Sequence, residues 1–177
     1  QFERTIRASR QNAAGARGHI IVGYSALATS RQISEALDAF HRSVPGVQVE
    51  MHVMSTDNML KNLKSGAIDL GFLLSHPSVG APGIDQMPVW SSRIGVVAPA
   101  GEAPSHVNEL SEMPFVMGLR ENWRSWRALL DSACDRAGLT PVVVDEAWDV
   151  QVILQRVAER RGVTLFPMTM AESLPAA

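Results

Sequence analysis

The sequence has little of several features that mark common classes of protein. A single cysteine, Cys134, excludes an internal disulfide framework and a cysteine-rich zinc site, and its helical spacing predicts a packed side chain. No apolar run approaches the roughly 20 residues that a bilayer-spanning helix needs. The first 18 residues also lack the apolar core of a signal peptide. The sequence therefore predicts a cytoplasmic protein without a membrane partner, with a mature secreted chain as the alternative.

Positive charge is not in excess. The 177 residues carry 16 Lys and Arg against 18 Asp and Glu, a net charge of −2, and the only lysines are Lys61 and Lys64. Such a balance gives no general attraction to nucleic acid. We therefore expect no specific DNA binding by this chain alone.

Catalytic and cofactor motifs are missing. There is no Walker loop and no GxGxxG, and "GYSAL" at 23–27 lacks the closing glycine of a nucleophile elbow. The five histidines are scattered, and His76, in a loop, is more simply a solvated residue than a ligand. Asp69 interrupts an apolar strand, where it is either a buried base or an acceptor of backbone hydrogen bonds. We predict no catalytic residue, no cofactor and no metal.

The stretch "STDNMLKNLKSGAIDLGFLL" at 55–74 is the most informative part of the chain. Ser55 or Thr56 can cap a helix, Gly66 can end it, and an almost unbroken apolar run follows, as in a strand covered on both faces. A second helix start lies near Thr29 and Ser30. Free N–H groups and hydroxyls at such starts, directly after strands, often hold a ligand in α/β proteins.

The hydrophobic periodicity predicts the remaining elements. Strands are expected at 19–25, 47–53, 68–74, 84–90, 93–99, 114–118, 141–147 and 163–167, and helices at about 30–42, 56–65, 123–137 and 150–161. Asp149 caps the last helix and Gly162 ends it. Two βα halves separated by a helix-poor middle predict two α/β lobes with a cleft between them.

Two segments carry a family resemblance: "VPGVQVEMHVMSTDNMLKNLKSGAIDLGFLL" and "LLDSACDRAGLTPVVVDEAWDVQVILQRVAERRGVTLFP". Together with the order of elements, they resemble the effector-binding domain of LysR-type transcriptional regulators from about Gly18 to the C-terminus. The resemblance implies an α/β fold of two Rossmann-like lobes with a hinged cleft, like type 2 periplasmic binding proteins. Residues 1–18 would end a linker helix, 19–89 with 163–177 would form lobe I, and 90–162 would form lobe II.

The resemblance also implies a small effector, a carboxylate or an aromatic metabolite, between the lobes. Ligand-lining positions of the family fall on Ser25, Ala26, Leu27, Thr56, Met117 and Gly118, with Trp148 and Phe166 nearby. Thr29 at its helix start and Trp123 across the cleft join them as candidates from the residues themselves. Many relatives have Ser or Thr where this chain has Leu27, so anchoring of a carboxylate is expected to depend on Ser25 and backbone N–H groups.

The expected partners are the effector and a second copy of the chain. A homodimer would pair the helices at 30–42 and 123–137, and a homotetramer would need the whole regulator. DNA would be read only by an N-terminal winged helix-turn-helix domain that this chain does not contain. A solute-binding protein of a transporter and an enzyme on the same architecture are the alternatives, and the enzyme would need an acid/base pair that the sequence does not show.

Overall fold

The computed structural model describes residues 18–28, 31–74 and 82–171. Their contacts divide the chain into two compact units, one extending to Ser91 and the other running from Ser92 to Ala171. None of the helices in these described ranges has the length and hydropathy that crossing a membrane requires.

The first unit is built on a three-stranded parallel sheet. Strands β1 (His19–Tyr24), β2 (Gln48–Val53) and β3 (Leu70–Phe72) lie in the order β2-β1-β3. Helices α1 (Arg31–Ser43) and α2 (Thr56–Ser65) follow β1 and β2, and Ala26–Ala28 form a 3-10 turn. Parallel strands need such crossovers, which place the carboxyl ends of all three strands at one edge.

The two faces of this sheet are covered differently. Buried Ile20, Val22 and Val47 form one core cluster, against which Phe40 and Val44 pack. On the other face, Gly71 lies so close to Met59 of α2 that an added Cβ would come within 2.6 Å of the Met59 sulfur. Gly71 therefore allows α2 to pack directly on the end of β3.

The second unit contains two strand pairs joined by one bridge. Strands β4 (Ile94–Val97) and β7 (Thr164–Pro167) pair antiparallel, and β5 (Pro114–Gly118) and β6 (Val142–Ala147) pair parallel. A parallel bridge between Phe115 and Val163 connects the pairs. Helices α3 (Arg124–Ala137), α4 (Val150–Ala158) and α5 (Met168–Ala171) and a 3-10 segment, Val107–Glu112, complete the unit.

Most predicted elements are confirmed, with ends that shift by one or two residues. The predicted strand at 84–90 is wrong, because this segment has no regular structure and exposes Met87 and Val89. Pro88 removes a backbone donor that a strand would need. The last predicted helix is also too long. It ends at Ala158, and Arg160 then takes φ 60° in the left-handed region.

The prediction that Gly162 ends this helix is wrong, and Gly162 instead allows a close approach to the main chain of β5. A Cβ at Gly162 would lie 2.4 Å from the Pro114 carbonyl oxygen, and Val163 N donates to that oxygen at 2.8 Å. Val163 therefore pairs with Phe115 of β5, and the following strand β7 pairs with β4. This places 163–171 in the second unit, whereas the sequence interpretation assigned them to lobe I. The first boundary lies between Ser91 and Ser92, two residues after the predicted one.

Candidate functional site

The carboxyl edge of the first sheet gathers the candidate residues of the first unit. Ser25 follows β1, Ser55 and Thr56 follow β2, and Phe72 ends β3. The backbone N–H of Ser25 donates to the Phe72 carbonyl at 2.9 Å, and that of Met54 donates to the Tyr24 carbonyl at 3.0 Å. These bonds extend the parallel ladder past the strand ends and hold the edge residues next to one another.

The three candidate residues in the turn after β1 differ in their burial. Ser25 and Ala26 are half-buried, and the Ser25 carbonyl accepts from Ala28 N at 2.8 Å. Leu27 is only 3% exposed and belongs to the core. Ser25 and Ala26 are thus accessible at the edge, while Leu27 supports the turn from beneath.

The sequence left open whether Ser55 or Thr56 caps α2, and the structure shows that Ser55 does. Ser55 is the N-cap of α2, and its hydroxyl accepts from Asn58 N at 3.3 Å. Half-buried Thr56 is the first helical residue, and its hydroxyl has no hydrogen-bond partner among the described residues. Because Ser55 satisfies the cap, the Thr56 hydroxyl is available to another group.

Asp69 is not a buried base. Its carboxylate Oδ2 accepts from Ile21 N at 2.9 Å, and its own N–H donates to the Ile21 carbonyl at 2.9 Å. The acid therefore continues the pairing of β1 and β3 at the start of β3. Three residues of interest, Thr29, Ser30 and His76, lie outside the described residues, as does the leader at 1–17.

The candidates of the second unit meet at the carboxyl ends of β5 and β6. Met117 and Gly118 end β5, and the Leu119 N–H donates to the Ala147 carbonyl at the end of β6. The Trp123 ring lies on Gly118, where an added Cβ would come within 2.3 Å of the indole. Only a glycine leaves room for this contact.

Trp123 is fixed on its other sides as well. Its indole Nε1 donates to the Trp148 carbonyl at 2.7 Å, and its ring stacks on Phe166 with centroids 6.1 Å apart. Met117 and Phe166 are buried, with 4% and 3% exposure, whereas Trp148 is 68% exposed. Trp148 is therefore the aromatic side chain of this group that an incoming molecule can reach directly.

Arg127 is a residue of this edge that the sequence interpretation missed. Its side chain is 5% exposed, and Nη1 donates to the Gly118 carbonyl at 2.9 Å and to Glu146 Oε1 at 2.6 Å. Its buried Nε has no acceptor among the residues that the structure describes. The sequence offers one weak signal for this role: Arg127 follows Trp126 at the margin of the apolar face of α3. That position does not distinguish a buried arginine from a solvated one.

A groove of about 240 Å³ lies along α3 on the second unit. Arg120 and Asp131, 2.6 Å apart, form an exposed ion pair in it, and Asp131 raises the pKa of Arg120. Cys134 is buried with 5% exposure, which confirms its packing role, and this burial raises the pKa of its thiol. Within residues 18–28, 31–74 and 82–171, no three His, Cys, Asp or Glu side chains are arranged to hold a metal ion.

Comparisons with known proteins identify a matching family and similar structures. The family model described as the LysR substrate binding domain matches residues 13–177. The chain is 23% identical over 172 residues to the HTH-type transcriptional regulator AlsR of Bacillus subtilis (strain 168), covering 94% of this chain and 56% of that protein. The chain thus spans little more than half the length of this relative, which is named as a regulator and not as an enzyme.

Solved structures show the same fold at low identity. The effector-binding domain of QuiR in complex with shikimate has a TM-score of 0.69 and 14% identity, over 86% of this chain and 74% of that one. The BenM effector-binding domain with its effector benzoate has a TM-score of 0.66 and 20% identity, over 92% and 75%. The α/β fold predicted from the resemblance, that of type 2 periplasmic binding proteins, is confirmed.

Proposed function

Because the chain belongs to the LysR substrate binding domain family, we propose that it is the sensor of a transcription regulator whose DNA-binding activity responds to a small-molecule effector. The regulator would read DNA through an N-terminal winged helix-turn-helix domain outside this chain. The sensor would be cytoplasmic and would bind its effector without transforming it. The naming of AlsR as a transcriptional regulator supports this function over that of a transporter component.

The effector class we propose is a small carboxylate, including aromatic acids. Two structures of the same fold contain shikimate and benzoate, and both molecules carry one carboxyl group on a six-membered ring. The edge of the first sheet suits such a group, because it combines hydroxyls with the N–H groups of a helix start. Fixed helix ends of this kind favour an anion by about 0.3–2 kcal/mol.

One observation carries the anchoring proposal: Ser55 performs the capping, and the Thr56 hydroxyl has no partner in the described part of the chain. Thr56 is therefore proposed to donate to the effector carboxylate, together with Ser25. Thr29, at the start of the preceding helix, remains a candidate donor. Ala26 would contribute contact area, and Leu27 would act only by supporting the turn.

The second unit is proposed to contribute an aromatic contact. Trp148 would pack its exposed ring on the effector, and Gly118 would offer backbone groups at the end of β5. Trp123, Met117 and Phe166 would shape this edge from below, since the indole N–H of Trp123 is already bound and the other two side chains are buried.

The anchoring proposal is tested with Thr56→Val, which removes the hydroxyl and keeps the volume. Calorimetric titrations use benzoate, shikimate and a panel of other small carboxylates. Losing a hydrogen bond to a charged group should cost about 1.5–3 kcal/mol of binding free energy. The cap at Ser55 is untouched, so the stability of the domain should change little. Thr140→Val, at an exposed loop position of the second unit, is the matched control. Unchanged affinity in folded Thr56→Val would remove Thr56 from the site.

Occupancy should also be visible by spectroscopy. Benzoate or another panel member that binds should change tryptophan emission through Trp148, and Trp148→Phe should abolish most of that change. At 100 times its dissociation constant the same compound should stabilise the domain by about 2.7 kcal/mol. A compound confirmed by calorimetry that leaves the emission unaltered would place Trp148 away from the site.

Assembly is the remaining part of the proposal. We expect a homodimer in which α1 of one copy packs against α3 of the other, and a homotetramer for the whole regulator. Sedimentation of this chain at high micromolar concentration measures it directly. A strict monomer there would contradict the dimer, and tight sequence-selective DNA binding by this chain in a gel shift would contradict the division of roles.

A further inference from the structure

Arg127 connects α3 to strands β5 and β6, at whose carboxyl ends several candidate residues of the second unit lie. Its guanidinium reaches Gly118, the last residue of β5, and Glu146, which pairs in register with Met117. One nitrogen, Nη1, supplies both hydrogen bonds. A charge that is buried this deeply is stable only when it is paired, so these two acceptors hold the Arg127 guanidinium in place against the strands.

Trp123 is the N-cap residue of α3, and Arg127 lies one turn into the helix. The Arg127 N–H donates to the Trp123 carbonyl at 2.8 Å, and the spacing of four residues places the two side chains on the same face. Trp123 covers the Cα of Gly118 while Arg127 holds its carbonyl. Gly118 is therefore held from two directions, by the N-cap residue of α3 and by a residue of its first turn.

The consequence extends to the exposed aromatic residue. Trp123 also donates to the main-chain carbonyl of Trp148, so the Trp123 ring holds the main chain of the loop between β6 and α4. A displacement of Arg127 would release the Gly118 carbonyl and allow the Trp123 ring to move. The loop carrying Trp148 would then lose its hydrogen-bond donor.

We propose that Arg127 is a positioning residue of the effector site: it does not touch the effector but fixes Gly118 and Trp123, and through Trp123 the loop of Trp148. The statement that these residues form an effector site rests on the proposed function. The positioning of Gly118 and Trp123 by Arg127 can be measured without any effector. Arg127 is too deeply buried to act as a direct contact in this structure.

The test compares Arg127→Met, Arg127→Lys and Glu146→Gln with the control Arg136→Met. Arg136 is an exposed residue of the same helix that donates to the Ser132 hydroxyl, so its substitution removes the same charge elsewhere on α3. Near-UV circular dichroism of the effector-free protein reports the packing of the tryptophan rings. Far-UV spectra and thermal melts establish that each variant is folded.

Arg127→Met should lose the component of the near-UV spectrum that Trp123→Phe also loses, and should change nothing further when added to Trp123→Phe. Arg127→Lys and Glu146→Gln should give a partial loss, and Arg136→Met none. If Arg127→Met does not fold, the two conservative variants decide by the same comparison. A wild-type spectrum in folded variants, or an equal change with and without Trp123, overturns the proposal.

A titration with benzoate then separates this inference from the proposed function. If benzoate binds the wild-type chain, its dissociation constant should rise in Arg127→Met and Arg127→Lys and stay unchanged in Arg136→Met. An unchanged constant in the Arg127 variants would overturn the link to the site even where the spectrum changes. If benzoate does not bind the wild-type chain, that result counts against the proposed effector class. The near-UV spectra of the variants then decide whether Arg127 positions Trp123.

Discussion

The indole N–H of Trp123 donates to the main-chain carbonyl of Trp148 across 2.7 Å. The bond joins the start of α3 to the loop after β6, and it gives the two tryptophans different roles. Trp123 is held by this bond, by its stack on Phe166 and by its contact with Gly118. Trp148 supplies only its backbone and leaves its ring exposed.

The first prediction follows from this difference. Trp123→Phe keeps an aromatic ring but removes the donor, and leaves the Trp148 carbonyl without this partner. The free energy of unfolding should fall by about 0.5–1.5 kcal/mol for the hydrogen bond, with a further loss of contact area. Trp148→Phe should change it by no more than about 0.5 kcal/mol, because that side chain is largely in solvent. Urea denaturation measures both, and equal costs would contradict the assignment.

A second prediction concerns the space above Gly118. Gly118→Ala places a methyl group 2.3 Å from the Trp123 ring, so either the ring or strand β5 must move. Overpacking of this kind costs about 1–3 kcal/mol of stability. In a Trp123→Ala background the clash is absent, and Gly118→Ala should cost much less there. A cost that is the same in both backgrounds would show that the contact is not responsible.

The third prediction isolates the backbone strain at Arg160. This residue has φ 60° and an exposed ion pair with Glu102. Arg160→Ala loses the pair and keeps the strain, whereas Arg160→Gly loses both. The glycine variant should be the more stable of the two by about 1 kcal/mol, since a left-handed residue with a Cβ costs about 1–2 kcal/mol and glycine regains chain entropy on unfolding. Thermal melts of the two variants test the order, and an alanine variant as stable as the glycine one would refute it.

The fourth prediction is a pH dependence at Glu50. The pKa of this carboxyl is held below its ordinary value chiefly by a hydrogen bond with His52, and further by His19, whose Nε2 lies 3.0 Å from Oε2. A lowered pKa means that the contribution of Glu50 is complete above its unfolded pKa, near 4.3, and is lost as the pH falls through the lower folded value.

Chemical unfolding between pH 7 and pH 2.5 measures this contribution as the difference between the wild type and Glu50→Gln. The difference should be present at about pH 5 and should shrink as the pH falls below about 4. His52→Gln removes the main cause, so the same comparison in that background should show a smaller change. Parallel profiles of the wild type and Glu50→Gln across the acid range would contradict the prediction.

Local signals in the sequence were sufficient for most elements. Gly66 and Gly138 take the left-handed conformation that ends α2 and α3, and Asp149 caps α4 by accepting from Gln151 N at 2.7 Å. These positions are readable because a cap depends on residues within one turn of it. The strand predicted at 84–90 failed because strand formation is not local in this way. The composition of the segment favours a strand, but pairing requires a neighbouring strand that the local sequence does not specify.

The sequence by itself determined the α/β class, the family and the strand ends at which the candidate residues stand, because periodicity, capping and the "STDNMLKNLKSGAIDLGF" stretch are local patterns. The tertiary structure decided which of these residues are accessible. Leu27 and Phe166 are buried, Ser55 rather than Thr56 caps α2, and the indole N–H of Trp123 is already bound. It also decided that Arg127 is buried and that β7 pairs with β4. Burial and strand pairing depend on residues that are distant in the chain, and no local pattern encodes those contacts.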